Sequence, residues 1–140
     1  MSICCKCPVV EFEGGIPPVY KTKGAACADL ALPNMIMIGP NSALSINLKI
    51  GFDIPEGMKV VMYPRSSLFA RYSILMPVSV IDSDYKDKPV HAFLYNCSDK
   101  PVKLEAGERV CQIECVPAVN CVSWDHNDVE RDGGLGSTGK

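Results

Sequence analysis

Three segments of the chain carry residues whose types and spacing suit work on a phosphate ester. The first is Pro64-Arg65-Ser66-Ser67-Leu68. A guanidinium offers a planar fork of donors, and two hydroxyls stand where a short helix would begin, so the segment suits an anion. The plainer reading is a serine N-cap beside a surface arginine. The second is Val80-Ile81-Asp82-Ser83-Asp84-Tyr85, a strand that runs into two carboxylates and a phenol. Asp82 could serve there as a general base, or as an ordinary turn former at a strand end. The third, residues 134–140, has the G-x-x-x-x-G-K spacing of a phosphate-binding loop. No apolar strand precedes it and no helix follows it, so a Walker-type site is not expected. The segment reads either as an unstructured tail or as one that wraps a phosphate with backbone N–H groups and hydroxyls.

The elements that must position these groups are strands. Leu44, Ile46, Leu48, Ile50, Phe52 and Ile54 fall on every second position, with mostly polar residues between them, which predicts a strand with one buried face. Pro55-Glu56-Gly57 predicts a turn, and residues 58–63 the return strand. Further strands are expected over 78–81, 90–95, 102–104 and 109–116, punctuated by Asp87-Lys88-Pro89, Asp99-Lys100-Pro101 and Glu105-Ala106-Gly107. Only residues 66–72 look helical. Residues 1–15 show little pattern, and residues 127–140 are Gly-rich and polar. The expectation is an all-β barrel or sandwich over 1–126 with a flexible arm over 127–140.

Composition narrows the function classes. A chain of 140 residues supports one domain with a real core. Eleven glycines and 11 prolines argue for many turns and short strands rather than a helix bundle. A net charge of −2 speaks against a general nucleic-acid binder. No apolar run approaches a membrane span, and the N-terminus lacks a signal peptide's apolar stretch, so no membrane partner is expected. The eight cysteines, at 4, 5, 7, 27, 97, 111, 115 and 121, read as reduced thiols of a cytoplasmic protein rather than a disulfide framework. Cys4-Cys5-x-Cys7 could bind a soft metal, but no second pair stands at finger-like spacing. Cys111 and Cys115 share one face of a predicted strand, where a free thiol packs as a small hydrophobe.

The order of the segments is more specific than any one of them. Ala26-Cys27-Ala28-Asp29-Leu30, Pro64 to Leu68, Val80 to Tyr85, Gly107-Glu108-Arg109-Val110-Cys111-Gln112 and the Gly-rich tail resemble, in sequence and spacing, the five motifs of the trimeric dUTPases. The resemblance runs over residues 16–140. It implies a distorted jelly-roll β-barrel with one short helix after Pro-Arg-Ser-Ser, and hydrolysis of dUTP to dUMP and pyrophosphate with Mg²⁺ across the phosphates. It implies a homotrimer in which the first, second and fourth motifs of one site come from one chain, the third from another and the fifth from the last.

Carried onto this chain, the resemblance implies a role for each position. Asp82 would orient and deprotonate the water that attacks the α-phosphorus. Arg65, Ser66 and Ser67 would hold phosphate oxygens, with Ser66 near the α–β bridge where leaving-group charge develops. Gln112 would hold phosphates or ordered water. Asp29 would grip the metal through coordinated water, as Mg²⁺ favours. Tyr85 would lie under the deoxyribose and exclude a 2′-hydroxyl. Backbone groups around Ser79, Val80, Ile81 and Val90 would read the uracil edge. Arg131 would reach the γ-phosphate, and Leu135, Gly136, Ser137 and Thr138 would close over the nucleotide.

The chain departs from the family at several positions. Leu135 stands where an aromatic usually stacks on uracil, and weaker uracil selection is expected from it. Arg131 lies four residues before Leu135 where the family has five. Ser79, Cys27 and Asp87 replace usual glycines, and Met76 an Asn of some members. Two other readings compete. A dCTP deaminase shares the fold and the Arg-Ser-Ser-Leu-x-Ala-Arg string at residues 65–71, but Phe93 stands at its catalytic glutamate position. A non-catalytic regulatory trimer of the same fold would suit the altered glycines, and the intact Asp82, Tyr85, Arg65 and Gln112 disfavour it.

Overall fold

Lys49 divides the longest alternating run of the sequence. In the computed structural model, which describes residues 6–121 and residue 131, Ile46, Leu48, Ile50, Phe52 and Ile54 are all buried, as the alternation predicts. The run nevertheless forms two strands, β4 (Ala43–Asn47) and β5 (Ile50–Phe52), after the short β1 (Val9–Glu11), β2 (Ala28–Ala31) and β3 (Ile36–Ile38). The break comes from Lys49, whose φ is +57° and whose N–H is turned onto Asn47 Oδ1 at 2.8 Å. There the chain stops pairing with one neighbour and starts pairing with another. The carbonyl of Lys49 accepts from Phe12 N–H at 3.0 Å, next to the β1–β5 ladder.

Then come β6 (Met58–Pro64), the helix α1 (Ser66–Tyr72), β7 (Ile74–Leu75), β8 (Ser79–Ile81), β9 (His91–Asn96), β10 (Val102–Leu104) and β11 (Arg109–Pro117). Pairing is antiparallel throughout, in sheets ordered β2-β11-β6-β8, β4-β9-β7, β1-β5 and β3-β10. The all-β expectation and the single short helix hold. The turn at Pro55-Glu56-Gly57 forms, with Gly57 at φ +82° and Met58 N–H on Pro55 O at 3.0 Å. Four strands lie beyond the sequence expectation: β1, β2, β3 and β7, of two to four residues each, are too short for a period to show, and the equally short β8 and β10 are legible only from the turn residues around them. β1 also corrects the reading of residues 1–15 as patternless, because Val9 to Glu11 pair with Phe52 to Ile50.

The sheets enclose one core centred on Leu30, Leu48, Ile50, Met62, Leu94, Leu104 and Val110. Cys111 lies in it and Cys115 packs against it, as the four-residue spacing predicts. The buried Asn96 is fully used. Its Nδ2 donates to Ile38 O at 3.0 Å and Lys100 O at 2.7 Å, and its Oδ1 accepts from Ser98 N–H at 2.9 Å. It thereby ties the end of β9 to β3 without an orphaned polar group. No helix among the described residues is long and apolar enough to cross a membrane. The 126/127 boundary and the rest of the arm, Arg131 apart, lie outside the described residues, as do Cys4 and Cys5.

Candidate functional site

One pocket is built where β2, β11 and the β6–α1 junction meet. Asp29 lies in β2, a strand buried at all four residues, with its carboxylate only 9% exposed. A carboxylate in that position is costly unless compensated. Arg65 Nε stands 3.5 Å from its Oδ1 and Arg109 Nε 3.8 Å from its Oδ2. Gln112 of β11 lies directly across the ladder from Asp29 on one side and from Tyr63 of β6 on the other. Its Nε2 donates to Pro64 O at 3.1 Å, which pins it beside the turn that launches the helix.

That turn corrects the serine N-cap reading. Arg65 is the N-cap residue, with φ −86° and ψ 141°, and no side chain caps the helix. Ser66 and Ser67 are therefore the first two helical residues, and their hydroxyls are not spent on capping. The Arg65 side chain bends back, with Nη1 donating to Arg109 O at 3.1 Å. Asp29, Arg65, Ser66, Ser67 and Gln112 line one open pocket of about 290 Å³. Lys21 and Cys27 line it too. Sequence reasoning gave no role to Lys21, which lies in the lead-in to the first motif. Burial, then Glu114 and Asp29, hold the Cys27 thiol above its ordinary pKa, so it adds no negative charge to the pocket at neutral pH.

A second group gathers at the β8–β9 connection. Asp82, just past the end of β8, is 59% exposed, and its carbonyl accepts from Tyr85 N–H at 3.1 Å. The Tyr85 ring packs against the core and its hydroxyl donates to Pro89 O at 2.9 Å. Burial raises its pKa, so the phenol stays neutral and keeps donating. β8 is an edge strand whose one partner is β6, so half the backbone groups of Ser79, Val80 and Ile81 face away from the sheet. Val90 differs. Its N–H donates to Ile50 O at 2.7 Å and its carbonyl accepts from Leu48 N–H at 3.1 Å.

The two groups do not meet within one chain. Asp29 is level with Tyr63 of β6 and three strands from β8, whereas Asp82 follows Ile81, which pairs with Val60. Strand spacing and rise put the two carboxylates roughly 20 Å apart. Arg131, the described residue of the arm, lies on the second group, with Nε donating to Asp84 Oδ1 at 2.8 Å and Nη2 to Asp82 Oδ2 at 2.5 Å. Leu135, Gly136, Ser137 and Thr138 lie outside the described residues. Among the described residues no cluster of three His, Cys, Asp or Glu side chains could cage a metal.

The dUTPase family model matches residues 14–139. Deoxyuridine 5′-triphosphate nucleotidohydrolase of Hydrogenobaculum sp. (strain Y04AAS1) is 33% identical over 134 residues, covering 91% of this chain and 92% of that protein. The protein of the same name from Wolbachia sp. subsp. Brugia malayi (strain TRS) is 37% identical, over 88% of this chain and 85% of its own. Among solved structures, the dUTPase of Staphylococcus bacteriophage 80alpha with dUPNHPP superposes with TM-score 0.76 at 17% identity, covering 96% of this chain and 94% of that one. A dUTPase from phage phi11 of S. aureus, studied for its coordination of a structural Mg(II) ion, gives TM-score 0.76 at 15% identity, over 91% and 99% of the two chains. At those identities the structures speak for the fold.

Proposed function

The chain belongs to the dUTPase family, and from that premise we propose that it hydrolyses dUTP to dUMP and pyrophosphate at sites shared between the copies of a homotrimer. One observation carries the reading. Residues from three separated segments, Asp29, Arg65 to Ser67 and Gln112, converge on one pocket with donors and cations suited to a polyphosphate. A separation of roughly 20 Å between that pocket and Asp82, more than a triphosphate spans, supports sites shared between copies of the chain.

Arg65, with the hydroxyls of Ser66 and Ser67, binds phosphate oxygens at the open helix start, and Gln112 orients them from the adjacent strand. Asp82 of a second copy holds the attacking water and takes its proton as the bond to the α-phosphorus forms. The ring of Tyr85 lies flat under the deoxyribose. The free edge of β8, at Ser79, Val80 and Ile81, reads the uracil; at Val90 only the second lone pair of the carbonyl is left for that task. Arg131, Leu135, Gly136, Ser137 and Thr138 close the site from above, Arg131 toward the γ-phosphate.

The donor set fits Mg²⁺ in one manner. A single buried carboxylate already paired with two guanidiniums is a poor direct ligand, so the donors fit Mg²⁺ only as a hydrated ion brought in on the phosphates, with Asp29 accepting from one of its waters. Bound there, Mg²⁺ would neutralise charge along the triphosphate, with Asp29 holding one of its waters. The deaminase alternative is disfavoured by Phe93, an exposed aromatic on β9 with no acid in its place.

Pyrophosphate release from each dNTP with Mg²⁺ tests the reading. Release from dUTP is expected, with Asp82→Asn lowering kcat by about 10²- to 10⁴-fold. No release from dUTP by the wild type overturns it, and ammonia release from dCTP would favour the deaminase. Mixing inactive Asp82→Asn and Arg65→Ala chains tests site sharing, since mixed trimers assemble some intact sites and regain activity. Absence of rescue after subunit exchange would count against shared sites.

A further inference from the structure

β11 contains one irregularity, and it falls beside the phosphate pocket. Gln112 pairs with Asp29, Cys111 with Leu30, and then Arg109 with Ala31, so Val110 is an extra residue on the β11 side. Val110 is completely buried in the core. Paired residues of an antiparallel ladder share a face, so Asp29, Gln112, Ala31 and Arg109 lie on one side and Leu30 and Cys111 on the other. In a regular strand the period of two would send Arg109 to the core side with Cys111 and Ile113. The bulge moves it to the pocket side. There its guanidinium faces Asp29 at 3.8 Å while its carbonyl accepts the 3.1 Å bond from Arg65 Nη1.

We propose that Arg109 is a positioning residue of the phosphate pocket, holding Asp29 with its side chain and Arg65 with its main chain, without itself touching substrate. The proposal rests on the dUTP-hydrolysing reading. It explains why the strand spends a bulge at Val110 rather than continuing in register. The second contact belongs to the backbone, so side-chain substitutions act through Asp29.

The test compares wild type, Arg109→Lys, Arg109→Met, Asp29→Asn and the Asp29→Asn/Arg109→Met double variant. Two readouts are taken: dUTP hydrolysis across a Mg²⁺ titration, and calorimetric binding of an α,β-imido dUTP analogue with Mg²⁺ and with EDTA. Arg109→Met is expected to raise the Mg²⁺ needed for half-maximal rate and to lower kcat/KM by up to about 10-fold, the low end of what losing an outer-shell partner costs, because Asp29 reaches the metal only through water. The gain in analogue affinity that Mg²⁺ confers should shrink in parallel, and Arg109→Lys should recover part of it. The double variant should lose no more than the worse single one. An unchanged Mg²⁺ requirement and analogue affinity, with only a lower melting temperature, would overturn the proposal, as would single losses that simply add. If Arg109→Met fails to fold, the double variant removes the uncompensated carboxylate, and Arg109→Lys reads the same coupling. A wild type that binds the analogue but leaves dUTP intact overturns the hydrolase reading alone, because the binding arm still reports on Arg109 and Asp29.

Discussion

Arg131 donates to Asp82, the arm's guanidinium resting on the carboxylate that the proposed mechanism needs for its water. The Arg131 side chain is 13% exposed, but both acids that hold it, Asp82 and Asp84, are more than half exposed, and solvent at the acids screens the pairs toward the worth of surface ion pairs, about 0–1 kcal/mol. A triphosphate offers more charge than these two acids, and the proposed origin of Asp82 and Arg131 of one site in different copies requires Arg131 to leave its own chain's Asp82, so it is expected to exchange partners when dUTP binds. Charge-assisted hydrogen bonds of about 1.5–3 kcal/mol predict that Arg131→Ala raises the KM for dUTP by about 10- to 100-fold. Inhibition by dUMP, which lacks the γ-phosphate, should be unchanged or stronger. Steady-state kinetics with dUMP as competitor decide it; equal losses for both nucleotides would place Arg131 elsewhere.

Gly51 bears on the loop that carries Tyr85. A Cβ at Gly51 would stand 2.6 Å from the backbone carbonyl of Lys88 and 3.2 Å from the ring of Phe12. The carbonyl belongs to the chain between Tyr85 and Val90 and cannot swing aside like a side chain. Gly51→Ala is expected to cost about 1–3 kcal/mol as overpacking. Thermal denaturation should show a clear drop in Tm, and the displaced loop should raise the KM for dUTP as well.

His91 makes stability depend on pH below neutrality. Burial holds its pKa below the ordinary value, and its Nδ1 lies 3.2 Å from Ser45 Oγ. With the folded value depressed, the unfolded chain binds the proton more readily. The contribution is complete above about pH 6.5, the ordinary histidine value, and is lost as pH falls from there toward the folded value. His91→Gln should flatten the decline of Tm between about pH 7.5 and 5.5. Parallel curves for the two proteins would exclude His91 as the source.

The cysteines should label in a fixed order. Burial first, then the nearby Asp29 charge, push the Cys111 thiol up to about 12, and its side chain is fully buried. Cys97 and Cys121 are exposed. Iodoacetamide at about pH 8 should therefore modify Cys97 and Cys121 early and leave Cys111 untouched until the protein is unfolded, because only the accessible thiolate reacts. Peptide mapping by mass spectrometry reads this directly.

Much of the fold was legible because its longer strands alternate and its turns carry their own residue signals. The buried positions from Ile46 to Ile54, the strands β6, β9, β10 and β11, and the helix from Ser66 to Tyr72 all follow local rules of alternation, turn chemistry and helix starts. The motif order likewise picks out Asp29, Arg65, Ser66, Ser67 and Gln112, and the structure brings all five to one pocket. Strands as short as β1 and β7 were illegible, since they exist by virtue of the partners they pair with.

Order along the chain therefore determined the chemistry available: a carboxylate with cations for a polyphosphate, a second carboxylate with a tyrosine, and a Gly-rich arm. What tertiary structure decided is which of these groups meet. Ladder register sets Gln112 opposite Asp29, and the bulge at Val110 turns Arg109 toward them. In the same sheet β11 and β6 stand between Asp29 and the strand that leads to Asp82. Those relationships depend on contacts between residues tens of positions apart, and a one-residue shift in pairing would move each side chain to the opposite face.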